Sequence, residues 1–407
     1  MTDHSSTWIS AAEACRLLGV RRATLYAYVS RGFIRSQPSR RSPRERAYAH
    51  EDVARLRRRV EARREPDTAA AHALEWGMPI LESSISLIDG QRLYLRGLDA
   101  IELARSRTLE EVAALIWLGR LDAAMPAAAV RHIPRRATPH LSFISRAQAV
   151  LAAAAPQDPQ AMDLRAARVA QTGTRIMRLL TLAAGGAATG ASHHLHRRLA
   201  HTWRLDDAGA DIIRTALVLC ADHELNVSSF TARCVASAGS HPYAVVIAAL
   251  SALEGPKHGG AGARVESTLE AMRRVRALPQ ALAARLRRGE PIDGFGHPLY
   301  RGGDPRARLL LDLLRERYAK RPELRFVAAF AEAAADVTGE HPNLDFGLAA
   351  VARVLQLPAG SPLKLFAIGR SVGWIGHAIE QYATGQLIRP RAKYSGVTPG
   401  APNHVQG

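Results

Sequence analysis

Apolar residues recur at helical spacing along most of this 407-residue chain. The run Thr108-Leu-Glu-Glu-Val-Ala-Ala-Leu-Ile-Trp-Leu118 carries an apolar face. Thr108 with Glu111 gives it the capping-box pattern that starts a helix. Val265 to Val275 is amphipathic, and Phe366 to Gln381 reads as a helix containing Arg370 and His377. From Asp122 to Ala210, Ala/Leu/Arg runs alternate with loops and carry no assignable chemistry. One stretch departs from the period of 3.6. Ser83 to Gly97 alternates, with β-branched residues around Asp89-Gly90, and predicts a hairpin. Beyond it, short proline and glycine breaks separate what reads as a succession of helices.

The first sixty residues have a different pattern. Ser10 with Glu13 predicts a short helix ending near Leu18, Gly19 a tight turn, and Arg22 to Val29 a second helix. Two short helices joined through a glycine turn match a helix-turn-helix. Phe33 to Tyr48 is polar and basic with β-prone ends, as in a wing hairpin, and an Arg-rich helix follows to Arg64. Glu65 to His72 has no apolar period and reads as linker. The stretch resembles the winged helix-turn-helix of the mercury-resistance-regulator and excisionase type. That resemblance implies duplex DNA as a partner. Arg21, Arg22, Thr24 and Tyr26 would face the major groove, and Arg40, Arg41, Arg44 and Arg46 the phosphates.

Composition narrows the class. Lys and Arg number 55 against 37 Asp and Glu, a net charge of +18 carried almost wholly by arginine. Such a balance suits anionic ligands or a polyanion. Cys15, Cys220 and Cys234 lack metal-ligand spacing, and their odd number argues against a disulfide framework. No apolar run is long enough to span a bilayer, so a cytoplasmic protein without a membrane partner is expected.

The candidate chemistry centres on Glu254-Gly-Pro-Lys-His-Gly-Gly-Ala261, which sets His258 in a turn before an amphipathic run. A histidine at a helix start stays neutral in the positive end of the dipole and can donate to a developing oxyanion. Three further stretches stand out: Cys220-Ala-Asp-His-Glu-Leu-Asn-Val-Ser228, Gly294-Phe-Gly-His-Pro-Leu-Tyr-Arg-Gly-Gly-Asp-Pro-Arg306 and His341-Pro-Asn-Leu-Asp345. Each has an ordinary structural reading when taken alone. Asp345, for example, is well placed as a plain N-cap.

Taken together and in order, they resemble citrate synthase. The likeness runs from about Leu81 to Gly396 and rests on seven matches. These are Arg96-Gly97, Ala221-Asp-His-Glu224, Gly255-Pro256 with His258-Gly-Gly260, Gly294-Phe-Gly-His297, Asp304-Pro-Arg306, Pro342-Asn343 with Asp345, and Arg389-Pro390. The resemblance implies an all-α fold of large and small domains, preceded here by the small winged module, and a homodimer or larger homo-oligomer. The expected extents are 1–64 for the winged module, 65–77 for the linker, 78–256 and 366–407 for the large domain, and 257–365 for the small one.

The implied reaction condenses acetyl-CoA with oxaloacetate to give citrate and CoA. Asp345 would be the base, His258 the oxyanion donor and His297 the group that polarises the ketone. His223, Arg306, Arg370 and Arg389 would bind oxaloacetate, Arg389 reaching over from a partner subunit, and Arg301 would meet CoA phosphates. No metal and no resident cofactor are implied; the acyl-CoA is a co-substrate. The sequence departs from the family pattern at Gly262, at Pro298-Leu299 and at Phe346-Gly347. Propionyl-CoA, giving 2-methylcitrate, therefore stays open as the donor. The fused winged module keeps open a third reading, a transcription regulator that uses the same fold to sense a metabolite.

Overall fold

The computed structural model describes residues 8–30, 33–39, 45–50, 52–53, 56, 81–122, 141–185, 194–392 and 394–396. The chain divides into two units, Met1–Glu82 and Ser83–Gly407. The predicted linker, 65–77, lies outside the described residues.

In the first unit, strand β1 (Trp8–Ser10) leads into a helix, Ala11–Leu18. The Ser10 hydroxyl accepts from the Glu13 amide at 3.2 Å, and Gly19 ends the helix at φ 63°. A second helix spans Arg22–Ser30. Strands β2 (Ser36–Pro38) and β3 (Arg46–Ala49) complete an antiparallel sheet in the order β1-β3-β2. Ile9, Ala14, Leu18, Leu25, Ile34, Tyr48 and Val53 pack into a core that belongs to this unit. The buried Asp52 carboxylate is satisfied by the backbone amide and guanidinium of Arg35, at 2.9 and 2.8 Å.

The second unit is mostly helical, but the expectation of an all-α protein needs correction: each unit contains a three-stranded sheet. Here β4 (Ser86–Asp89) and β5 (Arg92–Leu95) form the hairpin expected at Asp89-Gly90, with Asp89 opposite Arg92, and β6 (Leu98–Asp99) adds an edge. Leu93 and Leu95 face the helical core while Leu87 and Asp89 face outward, as the alternation requires. The helix Leu109–Leu118 begins with the predicted capping box. Thr108 Oγ1 accepts from the Glu111 amide at 3.3 Å, and the Glu111 carboxylate accepts from the Thr108 amide at 2.7 Å.

Among the described residues the longest helix is Ser361–Thr384, and it carries most of its residues into the core. Apolar residues lie on most of its faces, so it is buried and takes Arg370 and His377 in with it. Glycine sets how closely its neighbours approach. A Cβ on Gly369 would stand 2.5 Å from the Leu217 carbonyl oxygen, and one on Gly373 would stand 2.6 Å from that of Ala221. The Gly373 amide donates to the same Ala221 oxygen at 2.9 Å. This contact seats the segment that carries His223 directly against the helix that carries Arg370. Among the described residues no helix is long and apolar enough to cross a membrane.

Candidate active site

His223 follows the helix Asp207–Leu219, in the loop held against Gly373. It is buried, and its Nε2 lies 3.0 Å from the Tyr300 hydroxyl. Burial, reinforced by the charges of Arg306 and Arg370, keeps the imidazole pKa well below its usual value. The ring is therefore neutral at physiological pH.

His297 sits in the Gly294-Phe-Gly-His turn, where Gly294 and Gly296 have φ of 90° and 76°. These are left-handed conformations that glycine adopts at little cost. Its ring lies 5.2 Å from that of His223 and 4.8 Å from that of Tyr300. The Leu299 amide donates to His297 Nδ1 at 3.1 Å, so the proton of the neutral ring sits on Nε2, a donor. Burial and Arg306 lower its pKa.

Two stretches far apart in the chain, 294–306 and 341–344, are tied together here. The Gly296 amide donates to the His341 carbonyl and the Asn343 amide to the Gly294 carbonyl, both at 2.8 Å. Asp304 caps the helix Pro305–Tyr318 and grips Arg306 bidentately, at 3.0 and 2.8 Å; it also accepts from the Leu344 amide at 3.1 Å. Burial works against the Arg306 charge, but Asp304 outweighs it and raises the guanidinium pKa.

Asp345 is not a cap. Asn343 fills that position for the helix Leu344–Val354, its Oδ1 accepting from the amides of Asp345 and Phe346. The Asp345 carboxyl is left without a capping task in the first turn. Burial and the nearby Asp304 carboxylate raise its pKa to about 6, against the pull of Arg306 and Arg370. A carboxyl so tuned is a candidate base.

Arg370, fully buried, donates from Nε to the Cys220 carbonyl at 2.7 Å and lies over the Phe366 ring at 4.6 Å. Its Nη1 is buried with no hydrogen-bond partner among the described residues. Leaving such a group unpaired costs free energy that an anionic ligand would recover.

His258 lies one residue before the N-cap Gly259 of the helix Gly260–Met272. Burial, followed by the Arg370 charge, lowers its pKa to about 4, so the ring is neutral at physiological pH. Its Nε2 lies 2.9 Å from Ser228 Oγ, and its ring meets Phe366 edge-on at 5.9 Å. Ser228 also accepts from Trp374 Nε1 at 3.1 Å and stands 2.9 Å from Asn226 Oδ1. One hydroxyl hydrogen thus serves two neighbours. Turned to Nε2, it leaves His258 Nδ1–H as a donor; turned to Asn226, it leaves Nδ1 as an acceptor.

The structure brings His223, His297, Arg306 and Arg370 together with Asp345, and links His258 to them through Phe366 and Arg370. It does not bring in Arg301, which is exposed, or Arg389, which is exposed beyond the last helix and makes no hydrogen bond among the described residues. Tyr300 lies inside the Gly294–Arg306 stretch, but nothing in the sequence marks it; its contacts to both histidines and to Arg306 do. In the first unit Arg21, Arg22, Thr24, Tyr26 and Arg46 are exposed, while Arg40, Arg41 and Arg44 lie outside the described residues. No group of three or more metal-ligating side chains gathers among the described residues.

Residues 70–391 match the family model for the citrate synthase C-terminal domain. The chain is 38% identical over 196 residues to a putative citrate synthase 2 of Mycobacterium bovis, covering 47% of this chain and 52% of that protein. It is 39% identical over 184 residues to citrate synthase 2 of Bacillus subtilis, covering 44% and 50%. The chain thus spans about half the length of the curated relatives it matches. The structure resembles the crystal structure of citrate synthase from Thermotoga maritima with a TM-score of 0.62 and 27% identity, over 79% of this chain and 94% of that one. With the family match covering most of its length and the ordered motifs gathered around one set of histidines and arginines, the chain belongs to the citrate synthase family.

Proposed function

We propose that the chain condenses acetyl-CoA with oxaloacetate to give citrate and CoA. The observation that carries this reading is Asp345, a carboxyl released from capping by Asn343 and raised to about 6 beside neutral histidines and buried arginines. Asp345 takes a proton from the α-carbon of the thioester. His258 donates from Nδ1 to the thioester oxygen, with the Ser228 hydroxyl turned to Nε2. The α-carbon then attacks the ketone of oxaloacetate, and His297 Nε2–H supplies the proton to the new alkoxide. Water cleaves the resulting thioester to release CoA. His223, Arg306 and Arg370 hold the oxaloacetate carboxylates, with Arg389 supplied by the partner in a homodimer. Planar guanidinium forks suit carboxylates. Arg301 meets the CoA phosphates, and residues 257–365 close over the substrates to exclude water. Propionyl-CoA, giving 2-methylcitrate, is the alternative donor. Release of thiol from each acyl-CoA, with and without oxaloacetate, tests the reaction and ranks the two donors.

A second reading concerns the first unit: its helix Arg22–Ser30 enters the major groove of duplex DNA. What supports it is exposure. The helix buries Leu25 and leaves Arg22, Thr24 and Tyr26 outward, with Arg21 just before it. If the unit binds duplex, affinity falls steeply with salt as arginines displace counterions. Removing residues before Asp67 is expected to abolish binding while leaving acyl transfer intact, as read by gel shift at low and high salt alongside thiol release. Binding that survives the deletion contradicts it. A regulator that senses a metabolite would bind DNA and oxaloacetate but release no thiol.

A further inference from the structure

His223 lies between two residues held by one hydroxyl from a distant strand. Ser86, on β4, donates to Asp222 Oδ2 at 2.6 Å and accepts from the Glu224 amide at 2.9 Å. The direction is settled by chemistry. Asp222 is buried and faces His377 Nε2 at 3.2 Å through Oδ1. Burial disfavours its charge, but His377, Arg370 and Ser86 prevail and lower its pKa, so the carboxylate can only accept. The Ser86 hydrogen is therefore committed to Asp222, and its lone pair receives the Glu224 N–H.

Glu224 needs that bond. It has φ 52°, left-handed backbone that a residue with a Cβ rarely adopts. Such strain persists only where neighbours hold it. On the other side, the Ala221 carbonyl is tied to Gly373. The loop is thus fixed at 221, 222 and 224, and His223 is left to project toward Tyr300.

We propose that Ser86 is a positioning residue for oxaloacetate binding: it bridges Asp222 and Glu224 and so sets the direction of the His223 ring. Ser86 does not touch the substrate. The inference rests on the oxaloacetate site proposed above.

The test compares oxaloacetate binding by calorimetry in the full chain, its Ser86→Ala variant and its Ser86→Thr variant, with Kd for acetyl-CoA measured alongside. Losing a hydrogen bond to a charged partner predicts binding weaker by about tenfold in Ser86→Ala. Acetyl-CoA binding should stay within about threefold, and Ser86→Thr, which keeps the hydroxyl and suits a strand, should restore oxaloacetate affinity. Unchanged oxaloacetate affinity in Ser86→Ala overturns the inference while leaving the proposed function standing. So does equal weakening for both ligands that threonine fails to rescue. A wild-type chain that does not bind oxaloacetate overturns the proposed function, and this inference with it.

Discussion

Replacing Asp345 with asparagine is expected to cut turnover at least about a hundredfold, the usual scale for losing a general base, and at the same time to make the protein more stable at pH 8. Both effects follow from one carboxyl. In the fold its pKa is raised to about 6 from a reference of 3.8, first by burial and then by Asp304. Between about pH 4 and 6 the native state therefore holds a proton that the unfolded state has released. Stability is lost as pH rises through that window, and above it the folded chain carries the cost of a partly desolvated charge. Asparagine removes that cost, a gain on the order of 1–3 kcal/mol near neutrality that disappears below about pH 4. Chemical denaturation of both proteins at pH 4 and pH 8 checks the sign. In the wild type, turnover should rise as Asp345 ionises near pH 6. An asparagine variant with wild-type turnover would remove Asp345 from the chemistry.

The second large effect is expected at the arginines. Arg370→Ala should weaken oxaloacetate binding on the order of a hundredfold or more, since a buried charge pair broken on one side costs about 3–5 kcal/mol. Its Nη1 is buried with no hydrogen-bond partner among the described residues, so the proposed ligand carboxylate would supply one. Arg389→Ala should also weaken oxaloacetate while sparing acyl-CoA, although in one chain Arg389 is exposed. The proposed homodimer reconciles these statements, because the side chain would reach the other subunit's site. Refolding the two variants together should then recover activity above that of either alone, as one site in each mixed dimer regains both arginines. A mixture no better than its parents would confine Arg389 to its own subunit or leave it out altogether.

What was legible in the sequence was mainly local. The Thr108–Glu111 cap, the Asp89-Gly90 hairpin and the glycine turn before His297 each depend on residues a few positions apart. Local patterns specify local geometry. Residues such as His258 and Asp345 were legible only as an ordered set, since singly each fits an ordinary structural part. What stayed hidden depends on exact backbone geometry or on partners far apart in sequence. That Asn343 rather than Asp345 caps its helix is decided by backbone geometry within two residues, where both side chains have equal claims by type. The bond from Ser86 to Asp222 spans 136 positions and that from Tyr300 to His223 spans 77, with no periodicity to announce either. The cause of the low His258 pKa was also hidden, because burial and Arg370 act through tertiary packing.

The most direct test of the proposed enolising role is oxaloacetate-dependent release of CoA by the intact chain, run beside the Asp345→Asn variant with citrate quantified in the same samples. The expected result is CoA and citrate formed in equal amounts from acetyl-CoA by the wild type, little thiol without oxaloacetate, and a rate at least about a hundredfold lower in the variant. No thiol from either acetyl-CoA or propionyl-CoA, in a chain that still binds oxaloacetate, would contradict the assignment of Asp345, His258 and His297 to catalysis.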